Sequence, residues 1–341
     1  MITRVPRPAC AAVVEESQVG AARRQALGIA EALDFDETRR GRLAVIVTEA
    51  AANLARHAQR GTLIIQPFDE GDAGIDVIAV DTGPGMADPT RSLEDGFSTG
   101  GTAGTGLGAI RRLADEFDLD SHLGLGTVVF ARLWRDADAS ARRRSWLEVG
   151  GISTPIDSEQ HVGDDWAANV AGPDRASLIV ADGLGHGEDA ERAAMRAVEI
   201  YRSEHDDPPA RQLDHAHAAL RGTRGAAMIV AHIERERAVV AGAGNVAVSI
   251  VDGPQTKHAV SHPGIVGHQM GRPQEFTYAW TPRSMLVAAS DGVRTQWRFD
   301  RYPGLPRRHA AVIAATIWRD FKRGRDDATV VVIRGAGLRS A

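Results

Sequence analysis

The chain has 341 residues, with 45 Asp and Glu against 40 Lys and Arg, a net charge of -5, and 43% apolar and 25% charged residues. That length exceeds what one hydrophobic core usually supports, so two domains are expected. The slightly acidic balance argues against a nucleic-acid partner, and the single cysteine, Cys10, excludes an internal disulfide and a cysteine-built metal cage.

The opening stretch MITRVPRPACAAVV is too short and too interrupted for a signal-peptide core, and no segment reaches membrane-spanning length. A cytoplasmic protein with no membrane partner is expected. A strand near residues 11–15 precedes a helix opening at Ser17 as a cap, with Val19, Ala22, Ala26, Ile29 and Leu33 on one face. A second helix, starting at Asp36 or Thr38 and running to about Ala58, turns Leu43, Ile46, Val47, Ala50 and Leu54 inward. Strand-like GTLIIQPF and GIDVIAVD follow, then a glycine-rich loop, a helix over 106–116, and strands over 117–122 and 127–134.

Residues 135–145, RDADASARRRS, are charged, small and aperiodic, which reads as a linker between domains at 1–134 and 146–335. Beyond it strand-like runs recur at WLEVGGIST, DWAANVA, ASLIVAD, AAMIVAHIE, AVVAGAGNVAVSIV, SMLVAASD and ATVVVIR. Helix candidates lie at 188–203, 209–221 and 307–321. Many strands with few helices indicate an α+β class rather than alternating βαβ units.

The glycine-rich run GFSTGGTAGTGLGAIRR, residues 96–112, can close backbone N–H groups on an anion. A Walker A loop fails here, because the register starting at Gly101 puts Leu107 where its lysine belongs. The dinucleotide fingerprint is met by Gly104, Gly106 and Ala109, but a long loop precedes it where a strand should stand. Two upstream clusters complete a third pattern. Glu49 and Asn53 in TEAAANLARHA are four apart and share a helix face, and Asp81 ends an apolar strand before Gly83 and Gly85 in DTGPG.

This ordered set, closed by GLGT at 124–127, resembles the GHKL ATPases over residues 10–134, and its wording resembles the anti-sigma-factor serine kinases of the RsbT and RsbW type. The resemblance implies an α/β sandwich with helices on one face of a mixed sheet, binding ATP and Mg²⁺. It implies that Asn53 holds Mg²⁺, that Asp81 takes the adenine amino group, and that Gly104, Thr105, Gly106, Leu107 and Gly108 form the phosphate box. Gly83 and Gly85 then turn against the base, Thr127 lies near the adenine, and Glu49 is the general base toward a substrate serine. His57 is read as a structural helix residue.

Acids in the second half stand at strand ends: GDDW at 163–166, ADGLGHG at 181–187, SDG at 290–292 and RDDAT at 325–329. Each alone suits a turn; four together suit a site for hard divalent ions. With GAAM at 225–228 and AGAGN at 241–245, they resemble the SpoIIE-type branch of the PPM phosphatases, closest to RsbX, which implies an αββα sandwich with two Mn²⁺ or Mg²⁺. By that resemblance Asp182 bridges both metals, the Gly183 carbonyl binds one, and Asp291 and Asp326 complete the set. Asp164 acts through water, with Asp165 and Asp327 left open as alternatives to Asp164 and Asp326. His186 is read as a positioning group, and His262 and His268 as loop histidines.

The resulting expectation is a bifunctional partner-switching regulator acting on STAS-type proteins of a sigma-factor or response-regulator circuit. The alternative makes the N-terminal domain a non-catalytic, ATP-gated binding module that sequesters a partner or regulates the phosphatase.

Overall fold

The computed structural model describes residues 7–58, 60–69, 72–93, 106–136, 138, 146–156, 159–171 and 175–336. They form two compact units, one of Met1–Arg144 with Phe299–Arg308, the other of Ser145–Arg298 with His309–Ala341. The first unit therefore includes a ten-residue piece drawn from late in the chain, from within the 146–335 span that the sequence predicts as a separate domain.

In the first unit β1 (Ala9–Val13), β2 (Gly61–Asp69), β3 (Ala73–Asp81), β4 (Glu116–His122) and β5 (Gly126–Trp134) form one sheet in the order β1-β2-β3-β5-β4. The sheet expected to be mixed is antiparallel in every described pair. The reason lies in the connections. Two helices, α1 (Val19–Ala32) and α2 (Glu37–His57), separate β1 from β2 and reverse the chain. The single helix α3 (Gly106–Leu113) carries it from β3 to β4 in the same direction, but β5 lies between those two strands.

Ala22, Ala26, Ile29 and Ala30 of α1 and Leu43, Ile46, Val47, Ala50 and Leu54 of α2 recur at helical spacing. They meet Leu63, Ile65, Ile75, Val77, Ala79, Ala131 and Leu133 in one core, the alternate residues of their strands. Asp36, not Thr38, caps α2 by accepting from the Arg39 N–H at 2.7 Å. Ser17 does not cap α1; Glu15 and Gln18 form a reciprocal capping box around a short 3-10 turn instead.

The other sheet face carries a buried ion pair. Arg132 Nε and Nη2 donate to the two Asp76 oxygens at 2.6 and 2.8 Å, and the guanidinium lies over the rings of Phe68, Phe130 and Trp134. A fork on a carboxylate with aromatic faces around it satisfies both charges away from water.

The second unit is two facing sheets with helices outside. One sheet runs β15-β10-β9-β8-β7, from β7 (Asp164–Ala171), β8 (Arg175–Gly183), β9 (Ala226–Glu234), β10 (Arg237–Ala243) and β15 (Phe276–Ala279). The other runs β12-β11-β16-β17-β6, from β6 (Leu147–Thr154), β11 (Ala247–Asp252), β12 (Gln255–His258), β16 (Ser284–Ala289) and β17 (Ala328–Gly335). A short pair, β13 (Gly264–Ile265) and β14 (Gln269–Met270), stands apart. Leu178, Val180, Ile229 and Val240 of the first sheet meet Val248, Leu286, Val331 and Ile333 of the second.

Helices α4 (Glu188–Glu204) and α5 (Pro209–Ala219) cover the first sheet, with Ala193, Ala194 and Ala197 small enough to let α4 lie close to it. Helix α6 (Ala310–Phe321) covers β6 and β17 and is capped by His309 Nδ1, which accepts from the Ala311 N–H at 3.0 Å. The run AVVAGAGNVAVSIV is not one strand. It breaks at Gly244, at φ 97°, and its halves join different sheets.

Asp76→Ala takes both fork hydrogen bonds from the buried Arg132 guanidinium, while Glu116 Oε1 still lies 3.8 Å from Nη1, and loss of one member of a buried pair costs about 3–5 kcal/mol. A urea titration of the full chain followed by far-UV circular dichroism should show the first unit unfolding earlier by that amount; an unmoved midpoint would mean the pair adds nothing.

Candidate functional sites

In the first unit a cavity of about 590 Å³ is lined by Asn53, Asp81, Gly85, Gly106, Leu107 and Thr127, within the usual range for small-ligand sites. Asp81, at the end of β3, accepts from the Gly83 N–H at 2.7 Å, so the turn itself orients the carboxylate. Thr127 Oγ1 lies 2.9 Å from Ser121 Oγ, which also accepts from the Met86 N–H at 2.9 Å. Ser121 and Met86 brace this wall, and no motif in the sequence marked them.

Helix α3 begins directly over the α2 pair. A methyl group placed on Gly106 would stand 3.0 Å from Glu49 Oε2 and 3.4 Å from Asn53. A side chain there would crowd both, and the first N–H groups of a helix are what a phosphate needs. The donors and the open cradle fit a nucleotide. Gly83 packs beside Asp81 and the His57 carbonyl, and Gly108 is buried in α3. His57 ends α2 and also lines the cavity. Gly104 and Thr105 lie outside the described residues.

In the second unit the acids come two from each sheet. Register sets Asp164 on β7 directly opposite Asp182 on β8. From the facing sheet, Asp291 follows β16 and Asp326 precedes β17. The charges of Asp291 and Asp326 are felt at Asp182, and that of Asp326 at Asp291. Asn245 Nδ2 donates to Asp291 Oδ2 at 2.6 Å, which gives the AGAGN stretch a task that its sequence did not reveal.

Two ambiguities of the sequence have distinct geometry. Strand alternation turns Asp165 away from Asp164, toward Arg202, Glu191 and Glu199 of α4, while the Ser290 and Thr329 hydroxyls reach Asp164. Asp327 spends both oxygens on backbone, accepting from the Ile156 and Gly163 N–H groups at 2.7 Å each. Asp326 stays with the cluster. Gly183 is required where it stands, since a side chain there would overlap the Ala190 carbonyl of α4.

Burial, then the charges of Asp164, Asp291 and Asp326, pushes Asp182 up to about 9. Burial pushes Asp164 up to about 7, against the Ser290 hydroxyl, with Asp327 and Asp326 adding to the rise. Asp291 is raised by burial and then by Asp326. Asp164 Oδ2 is buried with no hydrogen-bond partner among the described residues. Oxygen donors with mutual repulsion and an orphaned oxygen fit divalent cations. A separate cluster the sequence did not announce, Glu204 and Asp207 at 2.6 and 3.6 Å from His215 Nδ1, sits at the α4–α5 connection as an ion-pair group with Arg211.

Residues 12–133 match the histidine kinase-like ATPase domain, and residues 172–335 match the Stage II sporulation protein E (SpoIIE) domain. A kinase-like ATPase domain and a PPM-type phosphatase domain thus share one chain, which implies use of ATP and of divalent metal. The chain is 38% identical over 126 residues to the serine/threonine-protein kinase RsbT of Bacillus subtilis (strain 168), covering 37% of this chain and 95% of that protein. It belongs to the RsbT kinase family, here joined to a SpoIIE-type phosphatase domain.

Among solved structures it is 27% identical, with a TM-score of 0.51, to one described as part of the bacterial stressosome, a modular system adapted to control secondary messenger signaling; the match covers 55% of this chain and 99% of that one. RsbX in complex with magnesium matches at 14% identity and a TM-score of 0.49, over 56% of this chain and 96% of that one. No helix among the described residues is long and apolar enough to cross a membrane.

Because Asp182 titrates at about 9 without a cation, it is protonated at pH 7, and a bound dication must displace that proton. Calorimetric titration of the full chain with Mg²⁺ or Mn²⁺, in buffers of different ionisation enthalpy at pH 7, should show about one proton released from Asp182 and a further fraction from Asp164, with affinity rising from pH 6 to 9. Release that is absent, or unchanged in Asp182→Asn, would show that these carboxyls are already ionised.

Proposed function

We propose that the chain both adds and removes phosphate on serine or threonine of partner proteins, as a partner-switching regulator. The observation that carries this reading is the pairing, on one chain, of a nucleotide cradle over Glu49 and Asn53 with four converging carboxylates around Asp182. In the first unit Asp81 takes the adenine amino group, Asn53 holds Mg²⁺ against the phosphates, and Gly106, Leu107 and Gly108 bring the start of α3 to them. Glu49 accepts the proton of the attacking hydroxyl.

In the second unit Asp182, Asp291, Asp326 and the Gly183 carbonyl hold a pair of Mn²⁺ or Mg²⁺ ions, with Asp164 reaching them through water. When bound, such a pair supplies water activated for attack on phosphorus. Asn245 fixes Asp291, and Ser290 and Thr329 fix Asp164. The partners are STAS-type proteins of a stress-signalling or sigma-factor circuit, a reading supported by the likeness to RsbT and to the stressosome structure.

One observation favours the rival reading for the first unit: Glu49 is not among the described residues that line the cavity. A purely binding module would retain ATP without transferring it.

Incubation with γ-labelled ATP and a STAS protein should label the partner. Glu49→Ala should cut that transfer by about 10²-fold or more, the usual weight of a general base, while leaving ATP affinity within about twofold. Wild-type binding without transfer would decide for the binding module. Asp81→Asn should weaken ATP by about tenfold, because a charged acceptor becomes a mixed amide. Chelator, or Asp182→Asn, should abolish phosphate release from a phosphoserine protein; release at the wild-type rate in either case would overturn the metal assignment.

A further inference from the structure

Beside the acid cluster stands a basic one. Residues 292–298, GVRTQWR, and 321–325, FKRGR, carry five cationic side chains and no acid, in a chain whose net charge is -5. The first stretch follows Asp291 directly and the second leads directly into Asp326, so both begin at the acids of the second sheet.

Backbone contacts hold the two stretches together. Val293 and Lys322 form an antiparallel bridge, the Arg323 N–H donates to the Gly292 carbonyl at 2.8 Å, and the Arg294 N–H donates to the Phe321 carbonyl at 2.9 Å. The rings of Trp297 and Phe321 meet edge to face at 6.5 Å. Gly292 is packed so closely on the Asp327 carbonyl that a side chain there would overlap it, which fixes this shelf relative to the acids. Gly324, at φ 67°, then turns the chain between Arg323 and Arg325.

Some of these cations already have a task. Lys322 lies over the Trp318 ring at 4.1 Å, and Arg294 Nη2 donates to the Asp320 carbonyl at 3.4 Å, while the Asp320 carboxylate is taken by Arg319. Arg323 and Arg325 differ. Both are exposed, and no carboxylate among the described residues lies within ion-pair distance of either. The charge of Arg323 is nonetheless felt at Asp291, so its guanidinium stands at the rim of the acid cluster. Arginines placed by their backbone rather than by partner acids keep both their charge and their donor fork for a bound molecule.

We propose that Arg323 and Arg325 bind acidic side chains flanking the phosphorylated residue of a substrate protein, so that the site selects acidic segments. The inference rests on the phosphatase reading above. In that reading the phosphoryl group goes to the metal pair held by Asp182, Asp291 and Asp326, which leaves the rim arginines to the residues beside it. A guanidinium fork matches a carboxylate in two parallel hydrogen bonds, and clustered cations speed encounter with an acidic partner.

The test compares three substrates on the full chain with Mn²⁺ or Mg²⁺: a phosphoserine peptide with Asp and Glu on both sides of the phosphoserine, the same peptide with Asn and Gln in those places, and p-nitrophenyl phosphate, which has no flanks. Wild-type kcat/KM should favour the acidic peptide over its amide twin by about tenfold at low salt, the weight of two exposed ion pairs, and the preference should shrink as salt rises. Arg323→Gln with Arg325→Gln should bring that ratio close to one. Arg323→Glu with Arg325→Glu should reverse it, which damage to the fold or to the metal site would not do. A wild-type ratio near one, or a preference that survives both double variants, would overturn the proposal. Equal losses on all three substrates would overturn it too, by placing the arginines in service of the acid cluster. A wild-type chain inactive on all three would instead overturn the phosphatase reading, and this role with it.

Discussion

Repulsion among carboxylates forced together where two sheets end is the constraint on which the second unit depends. Asp164 and Asp182 are fixed opposite each other by strand register, so neither can withdraw without unpairing a strand, and Asp291 and Asp326 come from the segments just after β16 and just before β17 of the facing sheet. Left without a cation, the cluster keeps protons that carboxyls ordinarily lose, with Asp182 at about 9 and Asp164 at about 7. The sandwich spends some of its packing energy on burying carboxyls where they ionise with difficulty. Repulsion of this kind is the usual signature of a site built for a ligand rather than for stability.

The first unit reaches its site by the opposite route. Its cradle is made of helix ends, turns and missing side chains, and Asp81 is oriented by the N–H of Gly83 rather than by another charge. Phosphates demand backbone donors in an open arc, whereas hard cations demand clustered oxygens. The Arg132–Asp76 fork, well inside the sheet, is fully compensated by hydrogen bonds, so it belongs to the scaffold.

Much of this was legible in the sequence because it is local. Helical spacing in α1 and α2, apolar strand runs, and Asp-Gly pairs at strand ends all express short-range rules, and they placed Asn53 in its helix, Asp81 and Asp182 near the ends of their strands and Asp291 just past the end of one. What stayed hidden was set by pairing at long range. Asp326 and Asp327 are indistinguishable as letters, and only the positions of the Ile156 and Gly163 amides, far away in the chain, decide which one is taken up by backbone. The break at Gly244 was hidden for the same reason, since an apolar run reads the same whether it stays in one sheet or crosses to the next. The braces Ser121, Asn245 and Thr329 carry no spacing signal at all, because their partners are remote in sequence.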